Sequence, residues 1–153
     1  WDVESGEAKI TLDGFEGLVQ DFDWNYDGSL VATSSKDKQL RIWDPRTQTV
    51  SSVGAPHEGA KAFKLAWLGS SNNLVTAGFT RQSKRELRFF DSRDLSTPIL
   101  TQEIDTASGV LMPFYDEDTK VLFVAGKGDG NIRYYEIDEG ATSCFALSEY
   151  RTR

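Results

Sequence analysis

The side chains that could do chemistry in this 153-residue chain are few and scattered. There is one histidine, His57, and one cysteine, Cys144. A nucleophile–base pair needs two such groups in hydrogen-bond reach, and a zinc site needs clustered ligands, so these residue types support neither. His57 is expected to be a satisfied structural histidine and Cys144 a buried structural thiol. The stretch Gly126-Lys127-Gly128-Asp129-Gly130 has the glycines and lysine of a phosphate-binding loop, but that chemistry requires a helix N-terminus directly after the glycines. Here Ile132-Arg133-Tyr134-Tyr135 follows and belongs to a strand, so a tight inter-strand turn is expected. Asp116-Glu117-Asp118 lacks the alternating ligands and glycine of a calcium loop and is expected to be a solvated turn. No catalytic residue, metal or cofactor is expected, and the chain is not expected to be an enzyme.

Composition narrows the class further. Hydrophobic residues make up 39% of the chain, enough for a core. No apolar run approaches the roughly 18 residues of a membrane-spanning helix. The single cysteine excludes an internal disulfide framework and suits a reducing compartment. Net charge is −7, unevenly spread. Residues 1–35 carry one basic and eight acidic groups, residues 36–93 eleven basic and five acidic, and residues 94–153 five basic and eleven acidic. An acidic whole argues against a nonspecific nucleic-acid binder, while the basic middle is a candidate for recognising an acidic partner.

What positions these groups is a repeat. The aromatic–acidic pairs Trp1-Asp2, Trp43-Asp44, Phe90-Asp91 and Tyr135-Glu136 recur at spacings of 42, 47 and 45 residues. Each of the last three ends a short alternating stretch and follows a small-residue strand, as in Leu30-Val31-Ala32-Thr33 ahead of Leu40-Arg41-Ile42-Trp43. A period of roughly 40–45 residues ending in Trp-Asp is the signature of WD-repeat propeller blades. The fold class expected is therefore all-β, a WD-repeat propeller segment of about three complete four-stranded blades plus part of a neighbour. Residues 1–14 end one blade, with an outer strand over 8–14; the blades then occupy 15–56, 57–105 and 106–153. Their strands are expected at 18–25, 30–35, 39–45 and 50–55; at 62–68, 73–79, 86–92 and 99–104; and at 111–115, 121–126, 132–138 and 144–149. Closed propellers have about 4–8 blades, so the chain is expected to be a piece of a larger one, with open blade faces bearing apolar strand residues such as Leu30, Ala32, Leu122 and Val124 or their alternates.

Blades of this kind often bury a His–Ser/Thr–Trp–Asp network, and its pieces do not assemble into a full set here. Phe15 stands where the first blade would place its histidine. The second blade has His57, but Phe90 replaces the tryptophan and no turn aspartate is evident. Asp37 and Asp129, seven residues before the terminal acids of their repeats, are expected to hold their turns by accepting backbone hydrogen bonds. Trp24, Trp43 and Trp67 all fall in strands and are expected to pack between blades. The second blade carries three extra residues within Phe79-Thr80-Arg81-Gln82-Ser83-Lys84-Arg85-Glu86. In a propeller the turns between second and third strands share a face with the connections between blades. That face is expected to collect Lys36, Lys38, Arg81, Lys84, Arg85 and Lys127, with Lys61 nearby, as a candidate protein-binding surface. Asp27, Asp116, Glu117, Asp118, Asp138 and Glu139 map to the opposite face.

Three stretches carry a family resemblance: residues 35–46, Ser-Lys-Asp-Lys-Gln-Leu-Arg-Ile-Trp-Asp-Pro-Arg; the insertion around Gly78-Phe79-Thr80-Arg81-Gln82-Ser83; and Gly109-Val110-Leu111-Met112-Pro113-Phe114-Tyr115-Asp116 with Gly126-Lys127-Gly128-Asp129-Gly130-Asn131. Over essentially its whole length the chain resembles the central part of a coronin propeller. The resemblance implies a seven-bladed propeller in a cytoplasmic, non-catalytic regulator that binds actin filaments at the cell cortex. It also implies modulation of the Arp actin-branching complex through regions outside this chain, since no coiled-coil heptads are present. No nucleic-acid partner and no membrane span are implied. The alternative is a general WD-repeat scaffold that docks peptides or protein complexes unrelated to actin.

Overall fold

The computed structural model describes residues 1–151; residues 152–153, the end of the unit expected over 106–153, lie outside the described residues. Twelve strands follow in sequence: β1 (Val19–Trp24), β2 (Val31–Ser35), β3 (Leu40–Asp44), β4 (Thr49–Gly54), β5 (Lys64–Trp67), β6 (Asn73–Phe79), β7 (Arg85–Asp91), β8 (Leu100–Asp105), β9 (Leu111–Asp116), β10 (Val121–Gly126), β11 (Asn131–Ile137) and β12 (Cys144–Arg151). They form three four-stranded sheets, each an antiparallel meander in chain order, and no helix occurs among the described residues. Every strand expected within the three blades is present, with ends displaced by at most two residues.

The period-two pattern explains how the sheets stack. In a strand, successive side chains point to opposite faces, so a sheet between two others must be apolar on both. β6 meets this demand: Leu74 packs toward the first sheet with Ala32, Leu40 and Ile42, while Val75 and Ala77 pack toward the third with Leu122, Val124 and Tyr135. Main-chain bonds reinforce the stacking near the inner strands. Asp21 and Asp23 of β1 accept hydrogen bonds from the backbone N–H groups of Leu65 (3.1 Å) and Trp67 (2.9 Å) in β5. Burial of Asp23 pushes its pKa above the ordinary carboxylate range, opposed by the backbone N–H groups of Trp67 and Trp24.

Two expectations need correction. Residues 8–14 form no strand, because no neighbouring strand is there to complete a ladder. Ile10 and Leu12 instead lie over the uncovered face of the first sheet, around a hollow of about 320 Å³ shared with Phe22, Trp24 and Val31. Trp43 and Trp67 are buried, but Trp24 is 47% exposed, because it points to that uncovered side. Ala32, Leu122 and Val124 are buried between sheets, and their alternates carry the open faces: Phe22 on the first sheet, Phe114 and Phe123 on the third.

Candidate protein-binding face and its buried supports

Hydrogen bonds knit the loops of one side together. Lys38 Nζ in the β2–β3 turn donates to Glu58 O in the β4–β5 connection (3.1 Å). Lys61 Nζ, which sits over the Phe79 ring at 4.9 Å, reaches Ser108 O in the β8–β9 connection (2.6 Å). The backbone N–H of Lys127 donates to Val110 O (2.9 Å), and that of Gly59 to Phe79 O (2.9 Å). The opposite side has its own links, from Ser70 to Glu117 and from Asn73 to Glu139.

The six cations singled out in the sequence divide into three kinds. Lys36, Lys38, Arg81 and Lys127 are exposed, and among the described residues no carboxylate pairs with any of them. Lys84 also faces solvent, but its ammonium lies 3.0 Å from both carboxylate oxygens of Glu103. Arg85 does not belong to the surface at all: its relative exposure is 0%. Its guanidinium grips Asp105 with two hydrogen bonds (2.6 and 2.5 Å), donates to Asp129 (3.0 Å) and donates to Gly109 O (3.2 Å). Arg133 closes the cluster on Asp105 (2.8 Å) and Asp129 (3.3 Å). Burial works against the charged guanidinium of Arg85, but the two aspartates more than offset it and raise its pKa; Asp105 is held below the ordinary range chiefly by Arg85. The reason is geometric: Arg85 opens β7, where its side chain points inward between the second and third blades. This removes Arg85 from the candidate contact set.

A second buried network explains the histidine. His57 Nδ1 lies 2.9 Å from Glu86 Oε1, and Nε2 lies 2.9 Å from Thr76 Oγ1. Glu86 is in turn paired with Arg88 (2.9 Å). Gly78 makes room for the ring, since a Cβ there would stand 2.5 Å from imidazole carbons. Burial pushes the His57 pKa down, with Glu86 opposing. The acid missing from the second turn is thus supplied from within strand β7.

The first blade solves the same problem without histidine. Trp43 Nε1 donates to Thr33 Oγ1 (2.9 Å), and Phe15 packs its ring on Trp43 at 5.1 Å between centroids. Arg41 lies over the other part of this cluster, 5.5 Å from the Phe15 centroid, and donates to Asp37 Oδ2 at 2.7 Å. Asp37 also accepts from Ser35 Oγ and from the backbone N–H of Gln39 (3.0 Å), so it holds the turn as expected. In the third blade Gly128 and Gly130 take left-handed φ of 85° and 67°, and the 126–130 stretch is a turn between β10 and β11. Burial pushes the Cys144 thiol up to about 12. Among the described residues no group of three or more His, Cys, Asp and Glu is placed to hold a metal ion, and no helix is long and apolar enough to cross a membrane.

Residues 6–44 match the model of the WD domain, G-beta repeat family. Coronin-like protein crn1 of Schizosaccharomyces pombe is 47% identical over 153 residues, which is 99% of this chain and 25% of that protein. Coronin-A of Dictyostelium discoideum is 41% identical over 147 residues, 96% of this chain and 33% of that protein. The crystal structure of the WD40 domain from Toxoplasma gondii coronin superposes with a TM-score of 0.92 at 35% identity, covering 99% of this chain and 39% of that one. The chain is coronin-type WD-repeat sequence. It spans between a quarter and a third of the length of these two curated coronin relatives.

Two features of this coronin-type segment escape a reading of residue types. Arg85 follows Lys84 in a basic loop and differs from it only in the direction of its side chain. Glu86 lies in a strand rather than a turn, and its one signal is that it falls two residues ahead of Arg88, as an acid that could meet an arginine along the same strand face.

Proposed function

We propose that this segment contributes a filament-facing basic surface to an actin-filament-binding regulator of the coronin type. It acts there as a non-catalytic interaction platform in the cytoplasm, at the cortical actin cytoskeleton. The observation that carries the reading is the set of uncompensated cations, Lys36, Lys38, Arg81 and Lys127, on one loop face of coronin-type sequence. An acidic filament surface is the complement such a face selects, through long-range attraction and many weak contacts. Three blades within 39% of the Toxoplasma chain's length support a seven-bladed whole. Any engagement of the Arp branching complex belongs to regions outside this chain.

Co-sedimentation of the full-length protein with actin filaments tests the proposal. Lys36→Glu with Lys38→Glu is expected to weaken binding and flatten its salt dependence, at about 0.2–1 kcal/mol for each exposed contact. Asp118→Lys with Glu139→Lys, on the opposite face, is expected to leave binding intact. Equal effects from the two pairs would remove this face from consideration. Absence of filament binding by the unmodified protein would favour the general scaffold reading.

A further inference from the structure

We infer that Ser83, in the extended loop of the second blade, is a phosphoacceptor for a basic-directed serine kinase, and that phosphorylation there turns the loop face away from acidic partners. The second half rests on the basic-face reading above; the first does not.

Several exposed hydroxyls of this molecule sit against acids. On the side opposite the basic loops, Ser70, Ser96, Thr119 and Thr142 each donate to a carboxylate, of Glu117 (2.8 Å), Asp94 (2.6 Å), Asp116 (2.6 Å) and Asp138 (2.8 Å) respectively. A phosphoryl group on any of these would lose that hydrogen bond and face a like charge. Ser83 is the reverse case. It is exposed, its hydroxyl has no partner among the described residues, and Arg81 and Lys84 flank it in sequence. Kinases select substrates by such charge patterns.

The backbone offers the residue. Ser83 adopts φ 64°, and its N–H donates to Thr80 O (3.0 Å), so it closes a four-residue turn at the tip of the hairpin. The corresponding residue of the first blade is Lys38, with φ 67° and the same bond to Ser35 O (3.0 Å). One blade therefore displays a fixed positive charge where the next displays a hydroxyl. The hairpin tip lies beyond the last pair of β6 and β7, Phe79 with Arg85, and its bonds, Thr80 N to Lys84 O (2.8 Å) and Lys84 N to Thr80 Oγ1 (3.1 Å) among them, leave the Ser83 side chain outside the sheet.

The step transfers the γ-phosphoryl group of ATP. The Ser83 Oγ–P bond forms as the bond to the β-phosphate oxygen breaks, the hydroxyl proton passes to the kinase's catalytic carboxylate, and ADP leaves. The product carries about −1.5 to −2 charges at neutral pH. Two residues from Arg81, an exposed cation that no carboxylate pairs with among the described residues, it offsets that charge and turns the tip of the loop acidic.

The test uses the full-length protein, Mg·ATP and the catalytic subunit of the cyclic-AMP-dependent kinase as the probe, with phosphopeptide mapping. One phosphoryl group is expected on Ser83, absent in Ser83→Ala and restored in Ser83→Thr. Labelling of Arg81→Ala is expected to slow about tenfold, the loss of one charge-assisted contact to the kinase. No label at Ser83, or equal labelling of Ser83→Ala, overturns the acceptor site. Filament co-sedimentation of the labelled protein is expected to weaken several-fold. If it is unchanged while Lys36→Glu with Lys38→Glu abolishes binding, the switch is overturned and the basic-face reading stands. If neither treatment weakens binding, the basic-face reading and the switch fall together, and the mapped site alone survives.

Discussion

Arg41 and Arg85 are both buried arginines next to a hairpin, and they hold different things. Arg41 satisfies the carboxylate of Asp37 four residues before it, inside its own turn, with Phe15 against its guanidinium. Arg85 leaves its own hairpin and reaches Asp129 in the next blade, sharing both its aspartates with Arg133. The first arrangement locks a turn; the second locks two blades to each other. The same residue types therefore give local or long-range order according to where in the strand the arginine sits.

The largest separation of the two should come from truncation. Arg85→Ala removes four hydrogen bonds at a blade junction and leaves Asp105 and Asp129 with Arg133 as their one remaining cation; it is expected to cost about 3–5 kcal/mol, measured by urea unfolding. Arg41→Ala leaves one partly buried carboxylate with two other donors still in place, and about 1–3 kcal/mol is expected. If Arg41→Ala proves the costlier, the junction is not where the stability of this segment resides. A double-mutant cycle sharpens this: Arg85 with Asp129 should couple by about 0.5–3 kcal/mol, while Arg41 with Asp129, which share no partner, should be additive.

Acid titration probes the same contrast. Asp105 is held low chiefly by Arg85, so its contribution is present above the unfolded aspartate value of about 4 and is lost as pH falls below it. That loss should be smaller in Arg85→Ala. His57, whose folded pKa is lowered by burial, contributes stability above its unfolded value of about 6.5, and this is lost as pH falls further. The fall in melting temperature between neutral and mildly acidic pH should therefore shrink in His57→Asn; an unchanged pH profile would mean that His57 does not titrate on unfolding. The smallest effect belongs to Lys84, the sequence neighbour of Arg85. Its pair with Glu103 is solvated, and Lys84→Ala should change stability by only about 0.2–1 kcal/mol. A penalty matching that of Arg85→Ala would erase the distinction between the two residues.

The blades were legible because repetition states the same pattern three times, so the pairs Trp43-Asp44, Phe90-Asp91 and Tyr135-Glu136 could locate β3, β7 and β11 together. The turn role of Asp37 was legible for the same reason. What stayed hidden depends on direction and partners rather than on type. Lys84 and Arg85 look alike as letters, yet alternation along the strand sends one to solvent and one inward. The 8–14 segment has strand-like residues, but a strand is a relation between two segments and not a property of one. His57 reads as structural from its loop position, while its acid does not show among the turn residues, because Glu86 comes from a strand.

The bonds from Asp21 and Asp23 to the main chain of β5 have a consequence for how this segment can drift. A backbone N–H is offered by every residue except proline, so Leu65 and Trp67 are gripped whatever side chains they carry. Replacement within β5 changes packing but not the anchor; replacement of either aspartate removes the anchor outright. The anchor should therefore be lopsided in its tolerance: it survives side-chain replacement in β5, where Leu65 and Trp67 answer to packing, and is lost with either aspartate of β1.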